Sequence, residues 1–229
     1  MADTLRIISS MATKQVLSDL VALYQQQTGQ AAALESVGGV DAAKRVQADE
    51  AFDAVILGSD ALDKLIAAGT VLGGSRVDLV NSGVAVAVRA GAPRPDISSE
   101  EALKKAVLAA KSLSYSTGPS GVQLARLFER WGIAEEIQPR IVTAPPGVPV
   151  GSLVAKGEVE LGFQQLSELL NLEGITLLGG LPEAVQIVTT FSGGVAATSS
   201  QPDAVRAMLA FMASPAATEA KRKQGMEPA

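Results

Sequence analysis

The sequence predicts an α/β protein with mainly parallel sheets, arranged as two lobes. Three observations lead to that class. Short apolar segments alternate with amphipathic helical ones along the 229-residue chain, as in α/β folds. The apolar segments end in small polar loops that open helices. This grammar breaks once, at Gly91-Ala92-Pro93-Arg94-Pro95, and then restarts.

Leu5–Ser9 reads as the first strand. A helix follows from about Ala12 to Thr28, with Leu17, Leu20, Val21 and Tyr24 on one face and Gly29 as its stop. Ala31–Ser36 is a second strand, ending in Val37-Gly38-Gly39 before a helix over Val40–Asp49. Asp53–Leu57 is a third, ending in Gly58-Ser59-Asp60 before a helix over Ala61–Ala68. A fourth, Val84–Val88, is bracketed by Asn81-Ser82-Gly83 and by the proline-rich break.

Beyond the break, Ser98 and Glu101 have capping-box spacing ahead of a helix that buries Leu103, Ala106, Val107 and Ala110. Ser112–Ser116 reads as a strand, Thr117-Gly118 as a turn and Pro119 as the first position of a helix, where its missing N–H costs nothing. Leu124, Leu127, Phe128 and Trp131 at i, i+3, i+4 and i+7 pack that helix inward. Then come a strand at Arg140–Val142, the loop Thr143–Pro149, and a helix from Val150 to Lys156 stopped by Gly157. Val159, Leu161 and Phe163 alternate with polar or small residues in a strand that ends at Gln164-Gln165. A β-branched run over Val185–Phe191, Gly193-Gly194, a strand over Val195–Thr198, a last amphipathic helix capped by Ser200 and Asp203, and a short helix after Pro215 complete the chain. Residues 1–88 with 190–229 are expected to form one lobe and residues 89–189 the other, with connections near Val88–Gly91 and Val188–Thr190.

Composition narrows the function. Cysteine and histidine are both absent, which removes disulfides, thiolate and histidine metal sites, cysteine nucleophiles and a Ser-His-Asp triad. A net charge of −5 and the lack of an extended basic run argue against nucleic acid; Lys221–Lys223 reads as a solvated helix end. No apolar run approaches the roughly 20 residues that span a bilayer. Met1-Ala2-Asp3 leads straight into the first strand without a secretory leader, as a cytoplasmic protein would or a secreted one after processing. No cofactor or metal is expected, and the chain is expected to be a monomer.

In open α/β sheets ligands collect beyond the carboxyl ends of strands, where helix N-termini present free N–H groups. Those loops offer Ser9, Ser10, Met11, Gly38, Gly39, Ser59, Ser116, Thr117, Ser120, Gly121, the Pro146-Gly147-Val148 stretch and Gln164. Hydroxyls, amides and glycine N–H groups grip an anion without a full counter-charge. Any one such loop is most simply a turn; six together point to a small anionic ligand. Thr117–Gly121 lacks the Lys-Ser/Thr of a nucleotide P-loop, and no dinucleotide glycine pattern follows the first strand. Lys14 and Arg45, one turn into helices that open at these loops, have the reach to meet a carboxylate.

The stretches LRIISSMATKQVLSDLVALYQQQTG and ESVGGVDAAKRVQADEAFDAVILGSDALDKLIAAG resemble the periplasmic molybdate-binding proteins of ABC transporters. Those are type II solute-binding proteins, and the resemblance implies two α/β lobes joined by crossing strands, a ligand cleft between them, a periplasmic location after leader removal, and an ABC permease as partner. Closing of the lobes by hinge bending would set affinity. SRVDLVNSGVAVAVRAGAPRPDIS, YSTGPSGVQLARLF, PVGSLVAKGEVELGFQQLSEL and QPDAVRAMLAFMASPAA are similar to the aconitate isomerase branch of the same superfamily, most strongly from Ala61 onward. Ser10 matches the hydroxyl that ends the first strand of molybdate binders. Gly38-Gly39 replaces the serine of their second loop, which implies a larger ligand, such as a carboxylate. The primary expectation is an ABC-type solute-binding protein for an oxyanion or a di- or tricarboxylate. The alternative is an isomerase that interconverts trans- and cis-aconitate; with no histidine or cysteine, its base is not apparent from residue types alone.

Overall fold

The computed structural model describes residues 3–144 and 148–229. The chain is α/β and forms two compact units, Met1–Ser82 with Thr189–Ala229, and Gly83–Val188.

The first unit opens with β1 (Leu5–Ser10), α1 (Lys14–Thr28), β2 (Ala32–Val37), α2 (Gly39–Gln47), β3 (Ala54–Gly58) and α3 (Ser59–Ala67). β1 lies between β2 and β3 and is parallel to both. Every residue of β3 is buried, and in β1 only Arg6 is exposed; such near-continuous apolar runs suit parallel strands covered on both faces. Ser10 pairs with Val37, and Ser9 with both Ser36 and Ile56, so the carboxyl ends of three strands come level. α1 ends as expected at Gly29, whose φ of 74° is the left-handed cap that glycine adopts freely.

β4 (Val77–Arg89) is far longer than the expected Val84–Val88. Asn81-Ser82-Gly83 is not a turn but the middle of the strand. Asn81 accepts a hydrogen bond from Thr190 Oγ1 at 2.7 Å, and Ser82 is fully buried with its hydroxyl unpartnered among the described residues; strand pairing overrides a local preference for turns. The first unit ends inside this strand.

The second unit contains the rest of β4, α4 (Glu100–Ala109), β5 (Leu113–Tyr115), α5 (Pro119–Arg130), α6 (Ala134–Ile137), α7 (Val150–Lys156), β6 (Leu161–Gln165), α8 (Leu166–Leu169) and β7 (Ile175–Gly180). β6 and β7 flank β4 in antiparallel register, and β5 runs parallel to β6. Phe128 of α5 packs against Tyr115, Trp131 and Phe163 with centroids 5.8, 5.9 and 6.1 Å apart. The helix thus holds the β5–β6 pair from one face. β7 is not among the strands expected from the sequence. The expected strand at Arg140–Val142 is a 3-10 turn, Gln138–Arg140, followed by a single bridge from Ile141 to Leu113. Arg140 bends the chain there by donating to the carbonyls of Leu108 and Ala110 at 2.8 and 2.6 Å. The cap of α4 is Ser99, not Ser98, and its hydroxyl accepts from the Ala102 N–H at 3.1 Å.

The chain returns to the first unit through β8 (Val188–Val195), antiparallel to β3, then α9 (Pro202–Ala213), α10 (Thr218–Lys223) and β9 (Glu227–Pro228), which pairs with β4. Gly193-Gly194 does not separate two strands as expected but lies within β8. A Cβ at Gly193 would overlap Leu209, and one at Gly194 would stand 2.7 Å from Val71 Cγ1, so these glycines mark close packing on the strand. Both units are therefore mixed sheets, parallel where strand–helix units repeat and antiparallel at β4 and β8.

Candidate functional site

In the first unit, Ser9, Ser10, Met11, Gly38, Gly39 and Ser59 gather at the carboxyl ends of β1, β2 and β3. Their side chains play different parts. Alternation along β1 sends Ser9 and Ser10 to opposite faces. Ser9 Oγ lies 2.8 Å from Ser36 Oγ on the neighbouring strand, which makes it a cross-strand tie. Ser10 is 7% exposed, and its Oγ has no hydrogen-bond partner among the described residues. A Cβ placed on Gly39 would lie 3.6 Å from Ser10 Cβ, so this hydroxyl lies beside the first turn of α2. That nine-residue helix has Gly38 at its cap and no capping side chain. An orphan hydroxyl beside uncapped N–H groups is a set of donors with nothing yet to donate to.

Ser59 belongs to a chain of hydroxyls. Ser192, fully buried on β8, donates to Asp78 Oδ1 at 2.6 Å, and Ser59 Oγ lies 2.6 Å from Ser192 Oγ and 2.9 Å from the Thr190 carbonyl. Arg76 and the Ser192 hydroxyl hold the Asp78 carboxyl below its usual range, so it accepts. Ser192 has only one proton and gives it to Asp78; Ser59's single proton is donated to the Thr190 carbonyl, with Ser192 Oγ beside it as a second acceptor. Ser59 offers lone pairs outward and suits a ligand or water that donates. Arg45 does not reach out either: it is ion-paired with Glu35 and Glu50 and stacks over Phe52.

In the second unit, Ser116, Thr117, Ser120, Gly121, Val148 and Gln164 lie around the ends of β5 and β6. Tyr115 pairs with Phe163, which sets Ser116 level with Gln164. Ser116 Oγ and Ser120 Oγ are 3.1 Å apart, and Thr117 is exposed. A Cβ on Gly121 would overlap the Ser116 carbonyl; the glycine lets the first turn of α5 close onto the strand end. Val148 packs against the cluster of Leu153, Val154 and Val159. Pro146 and Gly147 lie outside the described residues. Gln164 is buried with both ends of its amide used: Oε1 accepts from the Gly151 N–H at 3.0 Å, and Nε2 donates to Glu168 Oε1 at 2.9 Å.

Glu168 and the Asp78–Ser192 pair were not singled out from sequence. Burial pushes the Glu168 carboxyl up to about 7, against a smaller downward pull from Gln164. A clue was present in the sequence, since Glu168 follows Gln164 by four residues immediately beyond a strand end. The Ser59–Ser192 contact joins residues 133 positions apart and left no local trace.

Residues 5–227 match the model of the bacterial extracellular solute-binding protein family. The chain belongs to this family. This solute-binding protein is 40% identical over 231 residues to an aconitate isomerase of Pseudomonas sp., with 98% of this chain and 88% of the relative covered. Its fold matches that of the periplasmic molybdate-binding protein of Azotobacter vinelandii with a TM-score of 0.80 at 18% identity, covering 97% and 98% of the two chains. The sulfate-binding protein SubI of Mycobacterium tuberculosis also matches at 0.80, with 14% identity over 98% and 86%. These similarities place the chain in the two-lobed periplasmic-binding-protein fold.

Proposed function

We propose that this solute-binding protein holds a small di- or tricarboxylate by neutral donors at its strand-end loops. The observation that carries the reading is the orphan Ser10 hydroxyl beside the uncapped start of α2. Ser116, Ser120 and the first turn of α5 supply a comparable set in the second unit. Glycine at positions 38 and 39 leaves room where a side chain would narrow the loop, which favours a carboxylate over a compact oxyanion. A periplasmic location fits the family and the molybdate-binding neighbour, and an ABC permease is the partner such a binder would serve. Thermal shift against molybdate, sulfate, citrate, tricarballylate and trans-aconitate tests the reading. Stabilisation strongest with the carboxylates is expected, and no stabilisation by any anion would overturn it.

A second reading is favoured by the aconitate isomerase relative: the bound carboxylate is aconitate, and the chain interconverts its trans and cis forms. The reaction moves one proton across an allylic system through a dienolate-like state. Donors that hold an anion also hold that developing charge. Incubation with trans-aconitate, followed by chromatography for the cis isomer, decides between storage and turnover. No conversion above a buffer blank removes the isomerase.

A further inference from the structure

We propose that Glu168 is the acid–base residue that carries the proton in this allylic transfer; the inference rests on the isomerase reading above. The group needed is one that takes a proton from carbon and returns it, and the chain contains neither histidine nor cysteine. Glu168 stands at a strand end of the second unit. It lies on the turn of helix directly beyond β6, at the sheet edge where Ser116 and Ser120 follow the parallel neighbour β5.

Gln164 fixes its position. One end of that amide is tied to the backbone of α7 and the other donates to Glu168 Oε1. The anchor resists shifting, because Gly151 is packed tightly enough that a Cβ on it would strike Leu169 and Leu172. The second carboxyl oxygen of Glu168 takes no hydrogen bond among the described residues, and the residue keeps part of its surface in solvent. One oxygen is thus clamped and the other is available. Desolvation and the Gln164 amide are the influences on its titration, with no charged neighbour contributing. A carboxyl near neutrality is matched both to removing a proton and to giving it back.

The step balances within the ligand and this residue. Glu168 takes a proton from the methylene carbon, and the C–H pair becomes a double bond to the central carbon. The original double-bond pair then accepts the same proton at the formerly vinylic carbon, and the carboxylate is regenerated. Nothing is oxidised or reduced.

The test uses the full chain with trans-aconitate as probe. E168Q keeps the shape and the Gln164 contact but cannot accept the proton. Its kcat is expected to fall by about 100-fold or more, within the usual range for loss of an acid–base group, while KM stays within about threefold. E168D is expected to recover part of the loss, and the wild-type kcat is expected to rise with pH through an apparent pKa near 7. An E168Q rate within about threefold of wild type overturns the role of Glu168 and leaves the isomerase reading standing. A wild-type chain that converts no aconitate removes that reading and this residue's role with it. Should E168Q fail to fold by circular dichroism, the wild-type profile decides: a limb near 7 supports the proposal and a flat profile overturns it.

Discussion

At the scale of single residues, the useful distinction is between donors already used and donors left over. Ser10 is buried with an unpartnered hydroxyl, so Ser10→Ala breaks no hydrogen bond in the free protein. Its unfolding free energy is expected to stay within about 0.5 kcal/mol of wild type, since the cost of burying an unpaired polar atom is removed rather than created. Carboxylate affinity, measured by calorimetry, is expected to fall about tenfold, roughly the 1.4 kcal/mol of one lost hydrogen bond. A mutant that is clearly destabilised yet binds normally would show that the hydroxyl has a structural partner instead. Residue types at strand ends were legible in the sequence: serines and glycines stand where the chain turns into helices. Their commitments were not, because Ser9 is bound to Ser36, Ser59 to Ser192, and Gln164 to Gly151 and Glu168. All of those partners except Glu168, one turn on from Gln164, are brought in by the fold.

Glu168 gives a second prediction at this scale, independent of any ligand. Its folded-state pKa of about 7 lies above the ordinary value of 4.5. Between those values the folded state binds more protons than the unfolded one, so the contribution to stability is lost as pH rises from about 4.5 to 7 and is flat beyond. E168Q is therefore expected to stabilise the protein at pH 8, by up to about 3 kcal/mol, and to change it little at pH 4. Paired thermal unfolding curves at the two pH values check this; an equal effect at both would mean that the carboxyl titrates normally.

At the scale of elements, alternation of apolar strands and amphipathic helices was enough to recover α1 to α5, α7, α9 and most strands, because each buries a periodic face locally encoded. Two of the failures share a cause. Asn81-Ser82-Gly83 and Gly193-Gly194 look like breaks and are strand interiors, since pairing and close packing from distant segments override turn preference. The start of α4 is a cleaner case. Ser99→Ala removes the hydroxyl that accepts from Ala102 and is expected to cost about 1 kcal/mol. Ser98→Ala, one residue outside the cap, is expected to cost well under that. Chemical denaturation of the pair measures the difference. Gly121→Ala is predicted to be worse than either, at about 1–3 kcal/mol, because the added methyl meets a backbone carbonyl that moves only if α5 lifts from the end of β5.

At the scale of the whole molecule, charge and binding oppose one another. The chain carries a net charge of −5, the proposed ligand is an anion, and Arg45 is already neutralised by Glu35 and Glu50. On the proposed reading the grip comes from short-range neutral donors acting against a weak long-range repulsion. Salt screens the repulsion over a Debye length of about 10 Å at 0.1 M but leaves the hydrogen bonds in place. Affinity for citrate or trans-aconitate is therefore expected to hold steady or rise between about 20 and 300 mM NaCl. A steep fall would reveal a lysine or arginine acting directly on the ligand, with Lys14 the first to test.

Thermal unfolding carries this to the two units. A ligand at a hundredfold excess over its Kd adds about 2.7 kcal/mol to the folded state. For a chain of this size that corresponds to a rise in Tm of roughly 5–10 °C. Donor sets in both units, Ser10 with α2 in one and Ser116 with Ser120 in the other, make a distinctive prediction when the scan resolves more than one transition. A ligand that draws on both sets raises every transition, whereas one held by a single set raises only the transition of that unit. Ser10→Ala is expected to reduce the shift of the first unit's transition, and Ser120→Ala that of the second. The opposite result, a shift confined to one transition and removed by a substitution in that unit alone, would assign the ligand to one set of loops and leave the other as turns.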